Sequence, residues 1–253
     1  MGKIIAITNQ KGGVGKTTTA VNLAAALGYK NKKTLLIDSD PQCNSTSGVG
    51  IEKTDYSLSI YDCLGDSEII NNAIIKTRFK NLHLLPSSRD LSGAEIELAY
   101  EENREYRLKN AIDKVKDEYD YIIIDSPPAL GMLTINIMTC ANSVLIPIQC
   151  EYYALEGVSQ LIQSLKAIKK GLNKKLEIEG VLPTMYDGRT NLSIQVLEEV
   201  KKYFPDKVYK SIIPRNVRLS ESPSFGEPVI YYDITSKGAE AYLHLAREII
   251  GKE

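Results

Sequence analysis

Short runs of consecutive apolar residues recur along the chain, and each is bounded by charged or turn-forming residues. An apolar run without polar alternation is typical of a strand buried on both faces, as in a parallel sheet. The pattern therefore predicts buried strands at 4-IIAIT-8, 34-TLLID-38, 82-LHLLP-86, 121-YIIID-125, 144-VLIPI-148 and 178-IEGVLP-183.

Longer segments with helical spacing of apolar residues separate these runs. They cover residues 16–29, 93–118, 130–141, 154–170, 191–204 and 237–251. Alternation of strands and helices with short connections predicts an α/β fold, doubly wound, with a mostly parallel sheet flanked by helices. No internal repeat, low-complexity segment or linker interrupts the pattern, so we expect one domain over residues 1–253.

Composition narrows the possible partners and the compartment. The 253 residues are 43 % hydrophobic and 25 % charged, with a net charge of −1, so DNA binding would have to rest on a local basic patch. No apolar run reaches the ~18 residues that span a bilayer, and no signal peptide is recognisable. The four cysteines form no C-x-x-C pair, which favours reduced thiols in a cytoplasmic protein.

The segment 9-NQKGGVGKTTTAVNLAAAL-27 nearly fits the phosphate-binding pattern G-x-x-x-x-G-K-[ST]. Residues 15-GKT-17 match the last three positions of this pattern, but Gln10 occupies the position of its first glycine. The glycines let the backbone N–H groups turn inward, and the following helix directs its positive end into the same cavity. We therefore expect Lys16 to lie along the β- and γ-phosphates and Thr17 to bind Mg²⁺. The alternative is a glycine-rich turn that only packs strand against helix.

Three aspartates follow predicted strands, at the sheet edge where such folds place their sites. Asp125 ends one strand, where a carboxylate that holds Mg²⁺ or its waters is expected. Asp38 and Asp40 are two residues apart at another strand end, so in extended geometry they point to the same side. One of them could orient a water against the γ-phosphate, and the other could bind the waters of magnesium. The alternative is a solvated acidic turn before Pro41.

These motifs together resemble those of the ParA/Soj family of partition ATPases, part of the deviant Walker A group that also contains MinD. The resemblance rests on 11-KGGVGKTT-18, 38-DSDPQ-42, 125-DSPP-128 and 214-PRNVRLSESPSFGEPV-229, and it runs from residue 3 to about residue 250. The chain starts at its first strand, so it resembles the short form that has no N-terminal helix-turn-helix.

The resemblance implies ATP and Mg²⁺ as cofactors and assigns roles to individual residues. Lys11 matches a signature lysine that reaches the partner's phosphates across a nucleotide-sandwich homodimer, a cation supplied in trans like an arginine finger. The alternative for Lys11 is a solvated loop lysine. Asp40 matches the hydrolysis-promoting aspartate, and Asp38 matches its companion acid. Pro214 and Asn216 match positions that contact adenine.

The expected site therefore has three overlapping sets. The catalytic set is Lys11, Lys16 and Asp40, and the metal set is Thr17, Asp38 and Asp125. The nucleotide-binding set is Lys11, Gly12, Gly13, Val14, Gly15, Lys16, Thr17, Thr18, Pro214 and Asn216.

A basic stretch supports a DNA partner. Residues 189–220 carry seven basic and three acidic side chains, which predicts either a phosphate-binding face or an ordinary solvated surface. Arg189 and Arg218 resemble the family's DNA-contacting arginines. The resemblance then implies nonspecific DNA binding by the ATP dimer and hydrolysis stimulated by a ParB-type protein. It also implies a nucleoid-associated role in chromosome or plasmid partitioning.

Three other functions compete with this one. A MinD-like ATPase would act at membranes through a basic amphipathic C-terminal helix, but residues 236–253 mix both charges and favour a helix that packs on the core, with no membrane partner. An iron–sulfur carrier of the same group needs cysteine ligands across the dimer, and Cys43, Cys63, Cys140 and Cys150 lie in no such motif. A switch ATPase with slow turnover and a non-DNA cargo stays open.

Overall fold

In the computed structural model, which describes residues 2–151 and 158–251, every predicted apolar run forms a strand. Their bounds differ from the predicted ones by at most one residue, and the structure adds one short strand that was not predicted. The strands are β1 (Lys3–Ile7), β2 (Thr34–Asp38), β3 (Ile75–Lys76), β4 (Leu82–Leu85), β5 (Tyr121–Asp125), β6 (Ser143–Gln149) and β7 (Glu177–Thr184).

Within the described residues these strands form one sheet in the order β3-β4-β2-β5-β1-β6-β7. All neighbours are parallel except the β3–β4 pair at the edge, which is antiparallel. Ile7 at the end of β1 pairs with Asp125 at the end of β5. Asp125 in turn pairs with Asp38 at the end of β2. The predicted mostly parallel α/β fold is confirmed, and its central strands end at the same edge.

Helices cover both faces of the sheet. They are α1 (Lys16–Tyr29), α2 (Asn44–Gly48), α3 (Ile60–Gly65), α4 (Ile70–Ala73), α5 (Leu91–Glu97), α6 (Arg107–Ile112), α7 (Met132–Cys140), α8 (Val158–Gly171), α9 (Asn191–Tyr203), α10 (Val217–Glu221), α11 (Val229–Tyr232) and α12 (Lys237–Ile250). Short 3₁₀ turns lie at 53–55, 67–69, 98–100, 104–106, 116–118 and 222–225.

The strand residues alternate between two apolar layers. Ile4 and Ala6 pack with the layer that contains α7 and α8, whereas Ile5 and Ile7 pack with the layer that contains α1 and α12. Burial on both faces explains why the strands read as continuous apolar runs. The last helix packs against α1 through buried residues such as Tyr242, so the prediction of a core-packing terminal helix is confirmed for residues 237–250.

The prediction of one helix over residues 93–118 is wrong. That segment holds the end of α5, a 3₁₀ turn, an extended Glu101, a second 3₁₀ turn and then α6. Asn103 has a φ of 53°, a left-handed conformation that stops a right-handed helix. The predicted helix at 154–170 corresponds to α8, which the structure describes from Val158 onward. Residues 154–157 lie outside the described residues.

Candidate functional site

The glycine-rich loop connects β1 to α1 and opens toward the solvent. Gly13 and Gly15 have φ values of 74° and 88°, a left-handed conformation that glycine adopts without a steric penalty. α1 begins at Lys16, as predicted, and no side chain caps its first turn. The free N–H groups at the start of this helix are therefore available to an anion.

Two long-range contacts brace this loop. The Asn9 amide donates to the carbonyl of Pro147 at 2.7 Å and accepts the backbone N–H of Lys11 at 3.0 Å. The Thr184 hydroxyl donates to the carbonyl of Val14 at 2.9 Å. The loop is thus held by β6 and by the end of β7, which limits the number of conformations that a bound phosphate would have to select.

Lys16 lies inside the curve of the loop. It is only 7 % exposed, and its ammonium donates to the carbonyl of Lys11 at 3.1 Å. Burial lowers the pKa of Lys16, while the nearby carboxylates of Asp125 and Asp40 act in the opposite direction. A phosphate at this position would supply a further negative charge to a cation that is already largely removed from water.

Asp38 and Asp125 lie side by side at the ends of β2 and β5, and both are fully buried. The Asp38 carboxylate accepts the N–H and the hydroxyl of Thr46 at 2.8 and 2.7 Å and the N–H of Asp40 at 3.1 Å. Asp125 accepts the hydroxyl of Ser45 at 2.7 Å. Burial raises the pKa of both acids, and the neighbouring charge of Asp38 adds to the effect on Asp125.

The donor set at this point fits a hard divalent cation. Oδ1 of Asp125 is buried and has no hydrogen-bond partner, and the Thr17 hydroxyl is close enough to this carboxylate to oppose the rise in its pKa. Oxygen ligands of this kind suit Mg²⁺. The described part of the chain contains no cluster of three or more His, Cys, Asp or Glu side chains that could hold a metal alone. A cation here would take its remaining ligands from water or from a bound phosphate.

Asp40 is fixed just beyond the end of β2. Its Oδ1 accepts the N–H of Gln42 at 2.9 Å, and its carbonyl accepts the hydroxyl of Ser87 at 2.8 Å. The side chain is mostly buried beside Asp38, so the acidic segment is an ordered part of the site and not a freely solvated turn. Sequence reasoning missed the hydroxyl groups that hold these acids: Ser45, Thr46 and Ser87.

Pro214 and Asn216 lie beside the phosphate loop, although some 200 residues separate them along the chain. Together they line a cleft of about 310 Å³ that has Gly15 and Thr18 on another wall. Oδ1 of Asn216 is buried and has no hydrogen-bond partner, so an acceptor faces inward without a donor. A larger open groove of about 710 Å³ shares Pro214 but contains none of the loop residues.

The backbone of Lys11 is tied to the loop, whereas its side chain is not. Within the part of the chain that the structure describes, its ammonium has no hydrogen-bond or ion-pair partner. Gly12 and Gly13 have open space at their Cβ positions, so among the described residues no side chain or backbone atom covers these two positions of the loop. Val14 of the same loop is buried in the protein interior.

Arg189 and Arg218 lie on neighbouring segments. A bridge between Tyr186 and Pro214 joins the turn before α9 to the segment before α10. Both arginines are exposed, and both already have carboxylate partners. Arg189 forms a two-point ion pair with Asp187 at 2.7 and 2.8 Å. Arg218 pairs with Glu221 at 2.8 Å and with Asp233 at 3.2 Å.

The structure also bears on the competing functions. No helix in residues 2–151 and 158–251 has the length and apolarity needed to cross a bilayer. All four cysteines are free, and Cys63, Cys140 and Cys150 are buried. Burial raises the pKa of these three thiols, so their thiolate forms are disfavoured as ligands in this environment.

One family model and several known proteins match most of this chain. A family model described as an AAA domain matches residues 2–178. The chain is 61 % identical to the sporulation initiation inhibitor protein Soj of Bacillus subtilis, over 98 % of both chains. It is 53 % identical to the chromosome partitioning protein ParA of Myxococcus xanthus, over 100 % of this chain and 89 % of that protein.

Among solved structures, the chain is similar to one described as cobyrinic acid a,c-diamide synthase from Mycobacterium smegmatis with bound ADP and magnesium. The identity is 36 % and the TM-score is 0.87, over 99 % of this chain and 94 % of the other. The identity to Soj is much higher than this value, so the partition proteins are the nearer of the two comparisons.

Proposed function

The chain belongs to the Soj/ParA family of chromosome-partitioning ATPases, and we propose that it is a single-domain ATPase whose ATP-bound form is a DNA-binding homodimer. ATP and Mg²⁺ are its cofactors. The observation that carries the proposal is the convergence of Lys16, Thr17 and three buried aspartates on one glycine loop. A glycine turn that only packed strand against helix would require none of these groups.

The chain's own groups can bind the nucleotide in three parts. The N–H groups of the loop and the Lys16 ammonium would hold the phosphates, and Thr17, Asp38 and Asp125 would hold Mg²⁺ or its waters. Bound Mg²⁺ would neutralise the charge on the phosphates. The cleft that contains Pro214 would take the adenine, where the unpaired Oδ1 of Asn216 can accept a hydrogen bond from an amino group.

Asp40 is the group we assign to water activation. One of its carboxylate oxygens is used by the N–H of Gln42, which leaves the other to accept a proton from a water or to orient it. Hydrogen bonds within the segment fix this carboxylate in place. Asp40 therefore needs no rearrangement of its own backbone to take part in hydrolysis.

Lys11 is the group we assign to dimerisation. Its ammonium has no partner among the described residues, although the loop that carries it is well braced. A second copy that presents its phosphates would supply the missing anion, as a bound nucleotide does for an arginine finger. ATP binding and dimerisation would then be coupled, because neither the free nor the ADP-bound protein offers a γ-phosphate to Lys11.

The dimer would bind DNA through a face that includes Arg189 and Arg218, and a ParB-type protein would stimulate hydrolysis. Phosphate contacts of this kind carry no base specificity and weaken with salt. The runner-up is a MinD-like or other deviant-loop switch with a non-DNA cargo. A DNA titration with ATP, ADP or no nucleotide, across a salt series, separates the two proposals.

Lys11→Ala tests the trans-acting role of this lysine. We expect the variant to bind ATP and to stay monomeric by light scattering, because the loop keeps Lys16 but the partner's phosphates lose their cation. Lys16→Ala is the matched control, and we expect it to lose nucleotide binding itself. A Lys11→Ala protein that dimerises with ATP as the wild type does would remove Lys11 from the interface.

A further inference from the structure

The two most exposed large apolar side chains of the described residues lie together on one helical segment. Ile96, in α5, is 73 % exposed, and Tyr100, in the following 3₁₀ turn, is 92 % exposed. They are four residues apart, so they lie on the same side of the segment. Isolated exposed apolar residues need no explanation, but a pair this exposed on one face is typical of a contact surface.

Carboxylates surround this pair. Residues 90–105 contain six acidic side chains and one basic side chain, in a chain whose net charge is −1. Glu95, Glu97, Glu101 and Glu102 are all exposed. We call Ile96, Tyr100 and these four glutamates the acidic-apolar face.

A cleft of about 260 Å³ adjoins this face and shares Glu97 and Glu101 with it. The apolar side chains of Leu64, Ala94 and Leu98 line it, and Asp62 adds a third carboxylate. One guanidinium, that of Arg107, pairs with Glu101 at 2.7 Å and leaves the cleft with an excess of negative charge. An apolar wall beside carboxylates fits the long aliphatic stem and charged head of a lysine or arginine.

The face also borders the site already described. The Glu95 carboxylate lies against the backbone of Gly131, just before α7. The half-exposed Leu130 precedes this glycine in the loop that follows Asp125. A molecule on the acidic-apolar face would therefore lie beside the loop that connects Asp125 to α7.

We propose that the acidic-apolar face is a docking site for a basic polypeptide segment that carries large apolar side chains. Charge complementarity selects this occupant, because nucleic acid and anionic lipid would both be repelled by the glutamates. A symmetric contact with a second copy would place like charges opposite each other. The face is exposed in the single chain without nucleotide, so binding can be measured on nucleotide-free protein, independently of the proposed function.

The test uses two labelled 18-residue peptides and fluorescence anisotropy on the full chain. The first probe carries arginines and leucines at helical spacing, and the second replaces each leucine by glutamine at the same charge. We expect the leucine probe to bind at least tenfold more tightly than the glutamine probe. Its affinity should also fall as salt rises, since the carboxylates contribute to binding.

Two double variants place the binding on this face. Ile96→Ser with Tyr100→Ser should weaken the leucine probe at least tenfold, and Glu97→Gln with Glu101→Gln should weaken it severalfold and flatten the salt dependence. Helix α9 offers matched controls with the same residue types, Ile194→Ser with Tyr203→Ser and Glu198→Gln with Glu199→Gln. We expect these controls to stay within twofold of the wild type, with unchanged circular dichroism throughout.

Three results would overturn the proposal. The first is equal weakening in the α9 controls, which would mean that any acidic or apolar surface of the chain binds the probe. The second is an unchanged affinity in both α5 variants, or no binding by the wild type. The third is a change in self-association of the Ile96→Ser, Tyr100→Ser protein on its own, which would assign the face to a second copy of the chain.

Discussion

Asp40 is the residue at which the proposed chemistry can be separated from binding. Asp40→Asn keeps the acceptor for the Gln42 N–H, so the segment should fold as before. The amide is a far poorer proton acceptor than a carboxylate, so we expect phosphate release to fall by about 10²-fold. ATP-dependent dimerisation should persist, because Lys11, Lys16 and Thr17 are untouched.

The measurement is phosphate release under saturating ATP, with light scattering on the same sample. Asp66→Asn, on the distant surface after α3, is a control that should turn over like the wild type. Turnover at the wild-type rate in Asp40→Asn would exclude Asp40 from water activation. Loss of both turnover and dimerisation would instead assign it to nucleotide binding.

Asp125 makes the stability of the nucleotide-free protein depend on pH. Burial raises the pKa of Asp125 to about 7 and that of Asp38 to about 6. Between pH ~4 and pH ~7 the folded protein then holds more protons than the unfolded chain, so stability falls as pH rises through this window. Asp125→Asn removes the ionising group and should stabilise the protein at pH 8 by on the order of 1–3 kcal/mol.

Urea unfolding with a metal chelator present, at pH 8, 6.5 and 5, checks this effect. The gain of Asp125→Asn over the wild type should shrink steadily as the pH falls, because the wild-type carboxyl becomes protonated. Asp187→Asn is the opposite control: the paired Arg189 lowers the pKa of Asp187 to about 2, so its loss should not stabilise the protein at pH 8. A gain that is constant across pH would contradict the assigned burial effect.

At the scale of elements, the sequence predicts best the strands that are packed against apolar layers on both faces of the sheet. The runs 121–125 and 34–38 form β5 and β2 with the predicted bounds, and their parallel register brings Asp38 level with Asp125. Strand burial and the phosphate-loop pattern are therefore sufficient to predict where Asp38, Asp125 and Lys16 lie relative to one another. The start of α1 at Lys16 follows from the same loop.

Other elements depend on contacts that no local pattern encodes. The spacing of apolar residues over 93–118 suits a helix, but left-handed Asn103 divides it into α5 and α6. The two-residue strand β3 exists only through its antiparallel pairing with β4. These short elements contain too few residues for a periodicity to be recognised.

The cleft between the phosphate loop and Pro214 is the clearest example of long-range placement. Pro214 reaches the phosphate loop because backbone bonds at Tyr186 and Pro183 tie residues 213–215 to the segment that continues β7. The sequence contains no spacing that joins these residues to Gly15. The resemblance to a family is therefore the only basis in the sequence for naming Pro214 and Asn216, and their roles stay predictions.

At the scale of the whole molecule, a net charge of −1 conceals two regions of opposite sign. Residues 189–220 carry an excess of positive charge, and residues 90–105 carry an excess of negative charge. When DNA binds to the basic region, some orientations of the chain would bring the acidic residues 90–105 close to the phosphates, which would repel them. A dimer that presents two copies of the basic region would favour one orientation over others.

The ion pairs of Arg189 and Arg218 determine how DNA binding should respond to substitution. A phosphate that approaches Arg189 must share its guanidinium with Asp187, so this carboxylate opposes DNA binding as well as orienting the arginine. Asp187→Asn should therefore strengthen binding of the ATP form to a nonspecific duplex, whereas Arg189→Ala should weaken it. Arg218→Ala leaves Glu221 and Asp233 unpaired near the DNA and should weaken it further.

Salt titration of a labelled nonspecific duplex separates phosphate contacts from indirect effects. Loss of one phosphate contact per protomer removes two from a dimer, so the slope of log K against log salt should become shallower by about 2 for Arg189→Ala and for Arg218→Ala. Arg107→Ala, which also removes an arginine paired to a glutamate but on the acidic-apolar side, should leave the slope unchanged. Equal slopes in all variants would move the DNA face away from these arginines, because a contact that neutralises a phosphate cannot be lost without releasing fewer counterions.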